Sequence, residues 1–191
     1  MSLHFWDAYW GLSEEQCPCD IHFTQWLKET GVKHSTLYHF GSGGHHHVGV
    51  ECARDGLGNV CLSITAAPQE YDDYVKLVIE NPEVSKHYVC YFGDIYTTTS
   101  RLLPPLDVVT LFHLREFRTE KNDAYGALTD LEVGLELAKV TKPGGWFLFY
   151  TGSYAWNSAE KDVAELVARG VIEPAGSYKT LLLYKRTTKP V

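Results

Sequence analysis

Residues 35–50 read STLYHFGSGGHHHVGV, and the fold is decided there. Thr36, Leu37, Tyr38 and Phe40 are strand formers that run directly into Gly41, Gly43 and Gly44. A short apolar run closed by glycines reads as a buried strand ending in a tight turn. Glycine permits positive φ and lets backbone N–H groups approach a ligand with no Cβ between them. A strand, a glycine turn and a helix N-terminus are the parts with which open α/β sheets hold nucleotide-like ligands.

The 191 residues suffice for one domain with a sizeable core, 45% hydrophobic and 13% aromatic, which excludes a disordered chain. A formal charge of −7 argues against nonspecific nucleic-acid binding and against a polybasic membrane contact. No apolar run approaches membrane-spanning length, and no basic segment followed by an apolar stretch opens the chain. The expectation is therefore a cytoplasmic protein. Cys17, Cys19, Cys52, Cys61 and Cys90 are an odd set without framework spacing, suited to reduced thiols.

Outward from the glycine turn, the chain alternates strands and helices. Residues 5–10 form an aromatic-rich opening, and Ile21, Phe23, Trp26 and Leu27 predict a short helix ended by Gly31, with Asp20 as its N-cap. After strand one (36–40) come a helix over 46–52, strand two over 60–65 and a helix opened by Pro68. Strand three spans 88–92, strand four 106–112, a helix 129–140 and strand five 146–150, entered by a Pro143-Gly144-Gly145 turn. A helix over 158–169 with Ser158 as N-cap precedes a terminal hairpin. Such alternation predicts a largely parallel sheet with right-handed crossovers.

Several segments together resemble the class I S-adenosylmethionine-dependent methyltransferases. YHFGSGG at 38–44 sits where that family has its glycine loop, and TAAP at 65–68 resembles the end of its second strand. FGDI at 92–95 resembles its adenine-contacting segment, LDVVTLFHL at 106–114 its fourth strand, and LAKVTKPGGWFLF at 137–149 its fifth-strand entry. YKTLLLYKR at 178–186 resembles its last strand. The matches are ordered and cover roughly residues 35–186. They imply an α/β protein, a Rossmann-like three-layer αβα sandwich. Its seven-stranded sheet is mostly parallel, with an antiparallel last strand. The whole chain is expected to be one domain, residues 1–34 forming an N-terminal helical segment or lid.

The chain departs from the family pattern at three positions. His39 stands where an acidic residue usually precedes the glycine loop, and His45 replaces the third glycine. Thr65 stands where a carboxylate usually takes the ribose hydroxyls. A hydrogen bond to a charged group is worth about 1.5–3 kcal/mol, so its loss would weaken cofactor binding roughly ten- to a hundredfold. Glu70 and Asp72 are close enough in sequence to supply a substitute carboxylate.

The resemblance implies that Gly41, Ser42, Gly43, Gly44, Thr65, Asp94, Ile95 and Phe112 hold S-adenosylmethionine, with Asp94 accepting from the adenine amino group. The plain reading of Asp94 is a turn aspartate bonding its own backbone. His113 follows strand four and has two readings, a general base of near-neutral pKa or a wall of the cofactor pocket. Glu116, Tyr150, Tyr154 and Trp156 are the expected acceptor-facing residues. Trp6 and Trp10 are either a lid over the cofactor or packing against the core.

His45, His46 and His47 point about 100° apart if helical and cannot share one ion. Cys17-Pro18-Cys19 is a pair without a partner pair, so no resident metal is expected. The expected activity is in-line methyl transfer to a small-molecule acceptor, with neither nucleic acid nor membrane as partner. The alternative is a noncatalytic module with a degenerate cofactor site, in which bulky side chains would fill the cleft.

Overall fold

The structure is a computed structural model that describes residues 5–191; the first four residues of the expected N-terminal segment lie outside them. Seven strands make one sheet: β1 (Thr36–Phe40), β2 (Val60–Thr65), β3 (Tyr88–Phe92), β4 (Leu106–Thr110), β5 (Thr141–Tyr150), β6 (Ile172–Tyr178) and β7 (Leu181–Arg186). Their order is β3-β2-β1-β4-β5-β7-β6. β1 to β5 run parallel, and β7 is antiparallel to both its neighbours. The order reverses between β1 and β4, the switch point outside which open sheets bind ligands.

Six α-helices lie among the described residues: α1 (Cys19–Thr30), α2 (His47–Arg54), α3 (Pro68–Glu80), α4 (Glu120–Asp123), α5 (Asp130–Val140) and α6 (Trp156–Ala168). Side chains alternate across the pleat. Leu37, Cys61, Val108 and Leu148 face Phe23, Trp26 and Val48 of α1 and α2. Their neighbours Tyr38, Leu62, Val109 and Phe147 share the other core with Val133, Leu137 and Val163 of α5 and α6. Both faces are covered, which is why the strands read as near-continuous apolar runs.

The helix boundaries follow local chemistry, with some differences from expectation. Gly31 ends α1 at φ 68°, and Val32 N–H bonds back to Leu27 O at 3.1 Å. Pro18, not Asp20, occupies the N-cap of α1, which leaves the Asp20 carboxylate free to turn inward. α6 begins two residues before Ser158, with Ala155 at its N-cap. α5 opens on a capping box, Thr129 accepting from Glu132 N–H and Glu132 from Thr129 N–H. β4 stops at Thr110, and the Pro143-Gly144-Gly145 turn lies inside β5, where pairing with β4 shifts register between Leu106 and Val108.

Residues 5–18 hold no regular helix. They cross the C-terminal ends of the strands instead, with Trp6 N–H bonded to Ala66 O at 3.1 Å and Gly44 N–H to Trp10 O at 3.0 Å. A tight turn pairs Ser13 with Cys17 and delivers the chain to Pro18 and α1. No helix among the described residues is long and apolar enough to cross a membrane.

Candidate functional site

One cavity of about 340 Å³ runs along the C-terminal ends of β1 to β5 under the N-terminal segment. Its floor at β1 is the glycine turn. Gly41 has φ +85°, and a Cβ there would lie 3.4 Å from His113 Cδ2. Gly43 has φ +55°, and a Cβ would lie 2.5 Å from His45 Nε2 and 3.0 Å from Trp10 O. Both positions therefore need glycine for conformation, and Gly43 also for space.

At the ends of β2 and β3 the polar groups are buried and committed. Thr65 donates to Glu70 Oε2 at 2.7 Å, and Trp10 N–H donates to Glu70 Oε1 at 3.4 Å. Burial pushes the Glu70 carboxyl up, against the lowering effect of those two donors. Asp94 accepts from Tyr96 N–H at 2.9 Å, from Asn122 Nδ2 at 2.8 Å and from the Tyr125 hydroxyl. The turn-aspartate reading of Asp94 thus describes its own bonds, although the residue also lines the cavity.

Toward β4 and β5, residues remote in sequence converge. His113 Nε2 lies 3.9 Å from Cys17 Sγ and 3.8 Å from Cys19 Sγ, and the two sulfurs are 3.5 Å apart. His113 Nδ1 faces Glu116 Oε2 at 3.2 Å, and Glu116 Oε1 accepts from Ser153 Oγ at 2.5 Å. Burial disfavours the His113 cation, yet its bonds to Cys17 and Glu116 prevail and raise it to about 10. Hydrogen bonding from Cys19 lowers the Cys17 thiol to about 5 against burial, while Cys19 rises. Cys17, Cys19 and His113 therefore form one cluster in which the environment favours the Cys17 thiolate and the His113 cation.

Asp20, 4% exposed, sits between these halves, with Oδ1 3.6 Å from His39 Nε2 and Oδ2 3.8 Å from His45 Nε2. Burial pushes its carboxyl up, but the neighbouring His39 above all outweighs that and holds it below the usual range. The first turn of α1 thus sets a carboxylate beside His39 at the end of β1. Burial lowers His45 to about 4, so its ring is neutral. Asp20, Glu70, Asp94 and Glu116 give the wall an acidic lining, and no lysine or arginine lies among its described residues.

No family model and no curated protein matches the sequence. Solved structures match the architecture. A Methanococcus maripaludis protein provisionally described as an S-adenosyl-L-methionine-dependent methyltransferase aligns with TM-score 0.64 at 11% identity, over 91% of this chain and 88% of that one. The magnesium protoporphyrin IX methyltransferase of Synechocystis PCC 6803, solved with bound S-adenosylmethionine, aligns with TM-score 0.61 at 11% identity. That match covers 89% of this chain and 79% of the other. A protein provisionally described as an rRNA methylase from Clostridium thermocellum gives TM-score 0.58 at 10% identity, over 93% and 99%. The chain has the class I methyltransferase fold.

Within this methyltransferase fold, the cavity collects most of the residues singled out from sequence. Gly41, Gly43, Thr65, Asp94, Ile95, His113, Glu116, Tyr150 and Tyr154 all line it. Four others do not. The Ser42 side chain is buried toward Cys90, and Gly44 packs beneath the Tyr9 ring on the outer side of the turn. Phe112 points into the α1 layer against Phe23, because its position just past β4 continues the alternation of that strand. Trp156 packs on the α5–α6 core at the start of α6. Of the two substitute carboxylates, Glu70 reaches the cavity and Asp72 is exposed on α3.

His39 does not plug the cleft. Its ring stacks on Phe23, and Nδ1 bonds Thr110 Oγ1 at 2.7 Å, on the α1 side of the sheet. The histidine run disperses as its geometry requires. His45 faces Asp20, His46 bonds Tyr88 and Glu70 O at 2.8 Å each, and His47 meets Thr24 Oγ1 at 3.2 Å. Trp6 and Trp10 both line the cavity and meet Phe117 edge-on, so covering and packing are one arrangement. Sequence reasoning did not place Asp20, Cys17, Cys19 or Ser153 at the site. An inward acidic residue in the first turn of an otherwise apolar α1 face was the available signal for Asp20.

Proposed function

We propose that the protein is an S-adenosylmethionine-dependent methyltransferase acting on a small-molecule acceptor. The observation that carries this is one cavity joining the glycine turn, the Thr65–Glu70 pair and Asp94 to His113 and Glu116. That cofactor, when bound, supplies a methyl group on a sulfonium cation. It carries a positive sulfonium and a positive amino group, and the acidic, arginine-free wall suits such a charge. A phosphate-bearing ligand would meet the wrong sign.

Each part of the wall has a task under this reading. The backbone of the glycine turn accepts close approach of the amino-acid portion at Gly41, while the His45 ring packs on Gly43 and the Asp20 carboxylate lies nearby for its ammonium. Glu70, held by the Thr65 hydroxyl, stands in for the ribose carboxylate. Ile95 offers an apolar edge for adenine. Near β4 and β5, Glu116 and the phenols of Tyr150 and Tyr154 surround the acceptor, while Trp6 and Trp10 exclude water. In-line displacement depends mainly on orientation, which a roofed cavity on rigid strand ends supplies. His113 serves as wall and anchor here. Both of its ring nitrogens are engaged, Nδ1 by Glu116 and Nε2 by the Cys17 and Cys19 sulfurs, so neither stands free as a base.

The acidic lining, free of lysine and arginine, favours a small acceptor over a nucleic acid. A cleft that stays open with His39 turned away counts against the noncatalytic alternative, whereas the His45 ring does enter its wall beside Gly43. Calorimetry with S-adenosylhomocysteine is expected to show saturable binding and a matching rise in thermal stability. No heat up to millimolar ligand would end this reading. A product screen offering small thiols, phenols and amines against RNA then tests the acceptor class.

A further inference from the structure

We propose that Cys17, Cys19 and His113 form a binding site for one zinc-type divalent cation, with a fourth coordination position open to the cavity. Two thiols and an imidazole are the ligand set that borderline-soft divalent ions prefer, and three protein ligands mark an open rather than a closed site.

The spacing fits the ion. A tetrahedral centre with bonds of about 2.3 Å to sulfur and about 2.0 Å to nitrogen holds two sulfurs about 3.8 Å apart and sulfur about 3.5 Å from nitrogen. The observed separations are 3.5 Å between sulfurs and 3.9 and 3.8 Å from sulfur to Nε2. Each is within a few tenths of an ångström of that requirement, and rotation about the cysteine χ1 angles is all that separates them. Among the described residues this is the one group of His, Cys, Asp and Glu side chains close enough to share an ion.

An independent feature supports the site from behind. Metal-binding histidines generally donate their second ring nitrogen to a carboxylate, which fixes the tautomer. His113 Nδ1 has that partner in Glu116 Oε2 at 3.2 Å, and Ser153 holds the other Glu116 oxygen. The backbone also serves the geometry. The Ser13–Cys17 turn and Pro18 at the α1 N-cap bring side chains two residues apart to the same point. Two thiolates neutralise a divalent ion, so the buried cluster would carry no net charge from its first shell.

The open position follows from the cavity wall. All three ligands line the cavity, and Gly41 lies against the His113 ring, so a fourth ligand would sit beside the glycine turn. A nucleophile that ionises on a metal, such as a small thiol or phenol, has the chemistry to take that place. Only this last clause rests on the methyl-transfer reading. The metal site itself does not.

The test uses the reduced, metal-free full chain titrated with cobalt(II) and followed by absorption, with zinc added in competition. One equivalent is expected to produce thiolate-to-cobalt charge transfer and intense tetrahedral d–d bands, both displaced by zinc. Cys17→Ser should remove about half of the charge-transfer intensity, and Cys17 is half-buried, so this variant keeps its fold by circular dichroism. Glu116→Gln should keep the spectrum but weaken affinity about ten- to a hundredfold. His47→Ala should change nothing. A small thiol or phenol should shift the d–d bands. Absence of saturable uptake, a spectrum indifferent to Cys17→Ser, or uptake lost with His47 instead would overturn the site. So would a Cys17–Cys19 disulfide whose reduction yields no metal binding. Unshifted bands on adding both nucleophiles would overturn the open position. S-adenosylhomocysteine calorimetry on the same preparation needs no metal, so the two readings fail separately.

Discussion

The two halves of the cavity are built differently. On the β1–β3 side, Gly41, Gly43, Thr65 and Glu70 sit at strand ends or one helical turn beyond them, so each group is placed by its own element. On the β4–β5 side, Cys17 and Cys19 meet His113 across more than ninety residues of sequence, and Ser153 closes on Glu116 from the start of another layer. The first half rests mainly on strand ends and the first turn of α3, with Trp6 and Trp10 bonding onto it from the N-terminal segment. The second exists only while α1 and the N-terminal segment stay docked. The comparison teaches that the half proposed to hold the cofactor leans mainly on the sheet, whereas the half proposed to face the acceptor depends on tertiary packing.

The severest test of that contrast is Phe23→Ala. Phe23 is fully buried between Trp26, His39 and Phe112, where α1 meets β1 and β4. Truncating a buried phenylalanine costs about 3–5 kcal/mol through lost burial and the cavity left behind. Urea unfolding should report that loss as a lower midpoint at unchanged slope. Native-state hydrogen exchange should show protection falling first across 17–30 and last in β1 and β2. Equal loss in both regions would mean the halves are one cooperative unit.

Gly43→Val strikes the other half. A β-branched residue at φ +55° costs on the order of 1–2 kcal/mol of backbone strain, and its Cβ would overlap the His45 ring. Binding of S-adenosylhomocysteine should fall at least about tenfold for each 1.4 kcal/mol of that strain realised in the cradle. Alkylation of Cys17 by iodoacetamide should continue at the wild-type rate. A variant that binds normally would show that the turn does not cradle the ligand.

Legibility in the sequence divides along the same line. Strands β1, β2 and β3 were readable to the residue, because a buried parallel strand is a continuous apolar run closed by turn chemistry. Gly41, Gly43, Thr65 and Asp94 came from the family resemblance laid onto those strand ends, and all four line the cavity. The Cys17–Cys19–His113 meeting was not readable, since nothing local says that the turn at 13–17 folds back over β4. Phe112 shows a different limit. Its inward or outward sense depends on where β4 ends, and Thr110 rather than Phe112 is the last strand residue. Ser158 was a sound N-cap residue by type, but α6 starts earlier because Trp156 packs on its own core.

A smaller effect separates the carboxylates of α3. Glu70→Ala removes the acceptor for Thr65 and for Trp10 N–H, bonds to a charged group worth about 1.5–3 kcal/mol. Ligand affinity should drop roughly ten- to a hundredfold by calorimetry, while Asp72→Ala, on the exposed face, should match wild type. Reversal of that pattern would move the ribose subsite to the outside of α3.

Tyr154→Ala gives the smallest change and the finest discrimination. Its side chain is 82% exposed, yet it borders the cavity beside Glu116 on the loop after β5. An exposed residue off the core changes stability by less than about 0.5 kcal/mol. The melting temperature and S-adenosylhomocysteine affinity should therefore stay at wild-type values, because Tyr154 belongs to the half proposed to face the acceptor and not to the one that leans on the sheet. Once an acceptor is identified by the product screen, its KM should rise several-fold with kcat held, the signature of lost ground-state contact. A fall in cofactor affinity instead would show that the loop closes over both halves, and the division between them would have to be redrawn at β5.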